Sequence, residues 1–277
     1  MFVKKDSRKI KEILQDPEDE RTSLYLSRRK NEFPNGQIAN ILTRPAQVEA
    51  LAPNLEHMSL YNCGLSSLRG IGNLEPCSKL ITLDIGRNNL YDLPDELSQL
   101  RSLQSLIAED NHFTEIPTAV YLLENLAILK LSGNKIKSVS PALGKLVKMK
   151  TLCLDNNEIA QVPNEIGEMV LLRELNLRAN KLESVPRELG NLQCLETLIL
   201  SSNQLTSFLG EAELERLRGL KKLLLNGNNL EIFPQGLLHL SSCRISIANN
   251  NINEIPENVN SKIADINTFG QQKSSKD

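Results

Sequence analysis

Leu172-Arg-Glu-Leu-Asn-Leu-Arg-Ala-Asn180-Lys-Leu-Glu-Ser-Val-Pro186-Arg-Glu-Leu-Gly-Asn-Leu192 decides the fold. Its apolar letters, asparagine and proline spell L-x-x-L-x-L-x-x-N-x-L-x-x-L/V-P-x-x-L-x-x-L. Eight stretches of the 277-residue chain fit that template, most at a spacing of 23 residues. Units open at Leu80, Leu103, Leu126, Met149, Leu172 and Leu195, with asparagines at 88, 111, 134, 157, 180 and 203. Two more carry Asn228 and Asn250, and an earlier unit opening at Leu55 has Cys63 in the asparagine place. The units opening at Leu55 and Leu195 run to 25 residues and the one opening at Leu220 to 22.

Each letter has a physical job. L-x-L is the alternation of a short strand, leucines inward and x residues outward. The asparagine amide both donates and accepts, so it satisfies backbone groups where the chain leaves the strand. Proline fixes φ and stops the strand. Apolar residues three apart, as in Asp95-Glu-Leu-Ser-Gln-Leu100, then bring the chain back as a short helical segment. One unit cannot bury its own leucines, so the core grows coil by coil. The pattern predicts an α/β leucine-rich repeat solenoid, right-handed, with parallel strands on the concave face and short helices or 3-10 turns on the convex face.

Three segments follow: a capping helix within residues 1–21, the solenoid over 22–266, and a polar, disordered tail over 267–277. Ile10, Ile13 and Leu14 supply the apolar side of the cap. Ser23 to Arg29 reads as a degenerate first repeat, one residue short, with Phe33-Pro34 at its turn. Residues 37–51 are expected to form a longer convex helix. Ile263 and Ile266 are expected in a last edge strand.

Composition points to one soluble intracellular domain. No apolar run is long enough to span a membrane, and the N-terminus, with Lys4 and Lys5, has no signal-peptide core. Five scattered cysteines, an odd number, and no N-x-S/T acceptor favour the reducing cytoplasm, with the nucleus as the alternative. A net charge of −2, 4% aromatics and no Trp argue against nucleic acid as partner.

The sequence shows no catalytic constellation. His57, His112 and His239 occupy different repeats and template positions, with none of the spacings of a metal site. Phosphate-binding glycine loops, nucleophile elbows and C-x-x-C pairs are missing too. The expectation is therefore a non-enzyme without cofactor or metal. Cys153, at an outward strand position one coil after Lys130, is expected to be an inert surface thiol.

Specificity then rests on the outward residues. The middle x of each strand gives Ser59, Asp84, Ile107, Lys130, Cys153, Asn176, Ile199, Leu224 and Ser246. The next outward column runs from Tyr61 through Gly86, Glu109, Ser132, Asp155 and Arg178 to Ala248. At about 4.8 Å per strand they make a strip roughly 40 Å long. Within and beside it, Tyr61, Asp84, Arg87, Ile107, Glu109, Asp110, Lys130, Asp155, Arg178 and Leu224 are the candidate partner-binding residues. Tyr61 and Arg178 are the expected anchors, because tyrosine and arginine carry a large share of interface energy.

The unit at 172–192 resembles the L-x-x-L-P type of intracellular leucine-rich repeat found in Ras-pathway scaffolds and Ras suppressors. Ser23-Leu-Tyr-Leu-Ser with Phe33-Pro34 resembles the first repeat of such proteins, whereas the proline-free unit at Leu65-Ser-Ser-Leu-Arg-Gly-Ile-Gly-Asn-Leu looks more like those of a type-1 phosphatase regulatory subunit. The resemblance covers about residues 22 to 266 and touches scaffold positions only. It implies a non-catalytic adaptor that docks a small GTPase or a phosphatase on its concave face; the chain itself is expected to be a monomer. The alternative is a constitutive structural subunit of a cytoskeletal, ciliary or other assembly.

Overall fold

The computed structural model describes residues 21–36, 54–70, 73–256, 259 and 263–264. The expected capping helix, the helix within 37–51, Ile266 and the tail lie outside the described residues. The chain forms two compact units, Met1–Ile136 and Lys137–Asp277.

In the first unit five three-residue strands follow one another in parallel: β1 (Ser23–Tyr25), β2 (His57–Ser59), β3 (Thr82–Asp84), β4 (Ser105–Ile107) and β5 (Ile128–Lys130). Register aligns the central apolar residues, Leu24 with Met58, Leu83, Leu106 and Leu129. All five are buried. The second unit repeats this with β6 (Thr151–Cys153), β7 (Glu174–Asn176), β8 (Thr197–Ile199), β9 (Lys222–Leu224), β10 (Arg244–Ser246) and β11 (Ile263–Ala264). Here Leu152, Leu175, Leu198, Leu223 and Ile245 align and are buried. The alternation of L-x-L thus becomes a one-sided sheet whose leucines face a packed core.

The opposite side is built from 3-10 turns. After Pro94, Pro117, Pro163, Pro186 and Pro234 five-residue turns begin, and the proline carbonyl accepts from the amide three residues on, as in Leu97 N–H to Pro94 O at 3.0 Å. An i to i+3 bond fits the few residues available between proline and the next strand. Glu75–Cys77 is a shorter, three-residue 3-10 turn, Pro141–Lys145 follows Ser140 instead of a proline, and the 25-residue repeat opening at Leu195 forms an α-helix, α1 (Glu211–Arg216).

The asparagine ladder forms as the sequence predicts. Asn111 Oδ1 accepts from Leu90 N–H at 3.0 Å, while its Nδ2 donates to the carbonyls of Ile85, Ala108 and Glu109 at 3.1–3.2 Å. Asn88, Asn180, Asn203, Asn228 and Asn250 use the same acceptors in their own coils. Where cysteine replaces asparagine, Cys63 Sγ donates to Leu26 O at 2.9 Å, the counterpart of the Leu60 carbonyl that Asn88 reaches. The thiol keeps the donor half of the amide's role, and burial raises its pKa.

Beside the ladder runs a column absent from the sequence-based reading. The residue just before each ladder position has positive φ: Arg28, Asn62, Arg87, Asp110 and Gly133 in the first unit, Asn156, Ala179, Ser202, Gly227 and Asn249 in the second. Its amide donates to the next coil, for example Arg87 to Glu109 O at 2.8 Å and Ala179 to Ser201 O at 2.9 Å. The left-handed turn then swings the following side chain inward. Recurrent Asn and Gly at this position were the available signal.

Candidate functional site

The candidate residues fall into two groups, one in each unit. In the first unit the outward side chains at the ends of β2, β3 and β4 touch across coils. Arg87 lies with its Cζ 5.8 Å from the centroid of the Tyr61 ring, and its Nε donates to Asp110 Oδ2 at 3.1 Å. Three coils are bridged by one guanidinium. Arg87 and Asp110 remain largely exposed, 61% and 54% of their side chains. Asp84 Oδ2 accepts from Ser59 Oγ at 3.2 Å and Oδ1 from Gly86 N–H at 3.0 Å, so this carboxylate is tied to the sheet.

Gly86 opens a dent between them. A Cβ there would stand 3.3 Å from Asp84 Oδ1, 3.4 Å from the Tyr61 ring and 3.5 Å from Glu109 O. Ile107, Glu109 and Lys130 are half-buried on the same outward face. Of the candidate residues, Tyr61, Arg87 and Asp110 are thus joined by direct contacts, while Asp84 is held by Ser59 and Gly86.

In the second unit Asp155 Oδ1 accepts from Asn176 Nδ2 at 2.9 Å and Oδ2 from Asn156 Nδ2 at 2.7 Å. Asn176 in turn accepts from the Arg178 amide at 3.1 Å, which leaves the exposed Arg178 side chain at the end of a polar chain through Asp155. Leu224 is half-buried on β9. Cys153 is not the surface thiol expected: it is 8% exposed. A short side chain in a parallel ladder is flanked by its register neighbour, here Asn176, and water reaches little of it.

A further set of outward residues escaped the sequence reading. Period-two alternation also turns the first residue of β2 to β10 outward, which adds His57, Thr82, Ser105, Ile128, Thr151, Glu174, Thr197, Lys222 and Arg244. One position earlier, Glu196 of the second unit accepts from Arg173 Nη1 at 2.8 Å and from Lys221 Nζ at 2.6 Å. Lys221 first, and Arg173 second, hold the Glu196 carboxyl below the usual glutamate range. Finally, the sequence reading treated the three histidines alone. The fold brings carboxylates to one of them, since His239 Nε2 lies 2.7 Å from Glu211 Oε1.

The geometry offers chemistry of recognition: fixed charges, an aromatic face and half-buried apolar side chains. No described helix is long and apolar enough to cross a membrane. Residues 124–182 and 170–230 match the sequence model of the Leucine rich repeat family. No curated protein matches the chain. Among solved structures, a leucine-rich repeat protein of Leptospira interrogans is similar at 29% identity, covering 92% of this chain and 67% of its own, with a TM-score of 0.74. The PEPR1–AtPEP1 structure is similar at 27% identity over 75% of this chain and 30% of that one, TM-score 0.64. For the Toll–Spatzle complex of Drosophila the values are 23%, 72% and 29%, TM-score 0.66, a likeness of fold alone. The chain spans about two thirds of the Leptospira protein and less than a third of the other two. It therefore carries leucine-rich repeats, by sequence over 124–230 and by the solenoid fold it shares with these structures.

Proposed function

We propose that the chain is a non-catalytic protein-binding adaptor whose outward strand residues dock a globular signalling partner. Leucine-rich repeats commonly mediate protein–protein contact, and the PEPR1–AtPEP1 neighbour is itself a two-component structure. The observation that carries the reading is the Tyr61–Arg87–Asp110 bridge. A guanidinium fixed by a ring on one side and a carboxylate on the other loses little rotamer entropy on binding, so its remaining N–H donors are ready for a partner carboxylate. The acids Asp84 and Glu109 beside it would select basic residues of the same partner.

The partner class drawn from the L-x-x-L-P resemblance is a small GTPase or a phosphatase, met by a monomer in the cytoplasm. Affinity purification with wild type and with an Asp84→Lys/Glu109→Lys/Arg178→Glu variant tests the reading. The expected result is at least a tenfold loss of the co-purifying partners at unchanged circular dichroism. Equal recovery of the same partners by both proteins would overturn it.

A further inference from the structure

We propose that Glu211, Glu215 and His239 form a surface site for a divalent transition cation of the zinc class. Among the described residues these three offer ligand atoms that all lie within 4.8 Å of one another. Neither the recognition surface nor the repeat template accounts for them.

The site arises from the irregular repeat. In the other described coils of the second unit the segment after the turn is a five-residue 3-10 helix. The 25-residue unit instead forms α1, whose Leu214 amide donates to Gly210 O at 3.1 Å. An α-turn puts residues i and i+4 on one face, so Glu211 and Glu215 point the same way. The next coil supplies His239, the last residue of the 3-10 turn Gln235–His239.

The two backbones are locked together. A Cβ on Gly236 would stand 2.9 Å from both Glu211 Cα and Leu214 Cδ1, so glycine permits a close approach of this turn to α1. His239 is therefore carried by a rigid frame, its ring paired with the Glu211 carboxylate at 2.7 Å, while all three side chains remain exposed. A nitrogen and two oxygens about 2.0–2.2 Å from one ion are ligand types that zinc accepts, with water completing the shell.

Glu215 and His239 border a cavity of about 350 Å³ on one side, lined also by Leu214, Arg218 and Ser241. Arg218 is the one opposing cation there, and its Nε is engaged with Glu215 O at 3.3 Å.

The test is calorimetric titration of chelator-treated full-length protein with zinc chloride, on a Cys194→Ser background because Cys194 is the exposed thiol. One ion per chain is expected, with His239→Gln and Glu215→Gln each weakening binding at least tenfold. Cobalt(II) should give a visible absorption band that His239→Gln abolishes. Since the three side chains are exposed, the variants should keep the wild-type melting temperature without metal. No saturable uptake, or unchanged affinity in His239→Gln, would leave Glu211 and His239 an ion pair only and overturn the proposal.

Discussion

The two units use one scaffold and differ in where they depart from it. In the first, the departures sit in the ladder: Cys63 replaces an asparagine and Arg29 occupies the equivalent place one coil earlier. In the second, the ladder is regular and the departures lie at the turns, where Gly144, Gly167 and Gly190 let successive 3-10 segments approach closely and α1 interrupts them. Scaffold positions thus tolerate exchange only when the substitute reproduces the lost contact. Cysteine can donate to a carbonyl as asparagine does; nothing larger than glycine fits where backbones touch.

The largest effect should come from the core that both units share. Leu154 is 1% exposed, and its carbonyl receives Asn157 and Asn180. Leu154→Ala should lose about 2–5 kcal/mol in denaturant unfolding. Asp155→Ala, one residue on and facing outward, should lose well under half of that. A reversed order would mean that the leucine and aspartate faces are exchanged.

Next is the ladder itself. Asn180→Ala removes an acceptor for Ile159 N–H and three donations, to the carbonyls of Leu154, Leu177 and Arg178. The stranded buried groups should cost about 2–3 kcal/mol. Cys63→Ala forfeits mainly the bond to Leu26 O and should cost about 1 kcal/mol. Equal losses would show that the cysteine is a full substitute for the amide.

Much of this was legible because the template repeats. Leu83, Leu106 and Leu175 announce a core, Asn111 and Asn180 a ladder, and Pro94 and Pro186 a turn, each by residue type at fixed spacing. The left-handed column was harder, since Arg28, Arg87, Asp110, Ala179 and Ser202 hide a backbone state that Asn62, Gly133, Asn156, Gly227 and Asn249 advertise. Candidate surface residues were legible as positions and not as contacts. The Arg87 bridge depends on rotamers chosen among Tyr61 and Asp110 from different coils, which no single repeat encodes. Cys153 failed for the related reason that exposure depends on neighbours in adjacent coils.

The turn columns separate the units more finely. In Gly167→Ala the new Cβ would stand 2.7 Å from Glu188 O and 2.9 Å from Glu188 Cβ, so overpacking should cost about 1–3 kcal/mol. Ser98 holds the corresponding position in the first unit, with its hydroxyl donating to Asp95 O at 2.7 Å on the surface. Ser98→Ala should change stability by less than about 0.5 kcal/mol. Similar losses at both would mean that the close approach is not special to the second unit.

The smallest effect lies in the charges of the second unit. Lys221 and Arg173 lower the Glu196 pKa, so the folded state keeps that carboxylate ionised at a pH where the unfolded chain has begun to take up its proton. Linkage fixes the sign: the contribution is fully present above the ordinary glutamate range, and is lost as pH falls through the lower folded value. An NMR titration of the Glu196 side-chain carboxyl should therefore give a midpoint below that of an unpaired glutamate. Lys221→Gln should raise it more than Arg173→Gln does, because the Lys221 contact is the dominant cause. Exposure limits what this adds to stability, since solvent and salt screen both pairs. Raising ionic strength should move the wild-type midpoint upward and leave the Lys221→Gln midpoint nearly still. A salt-independent wild-type midpoint would place the cause of the depressed pKa outside these two cations.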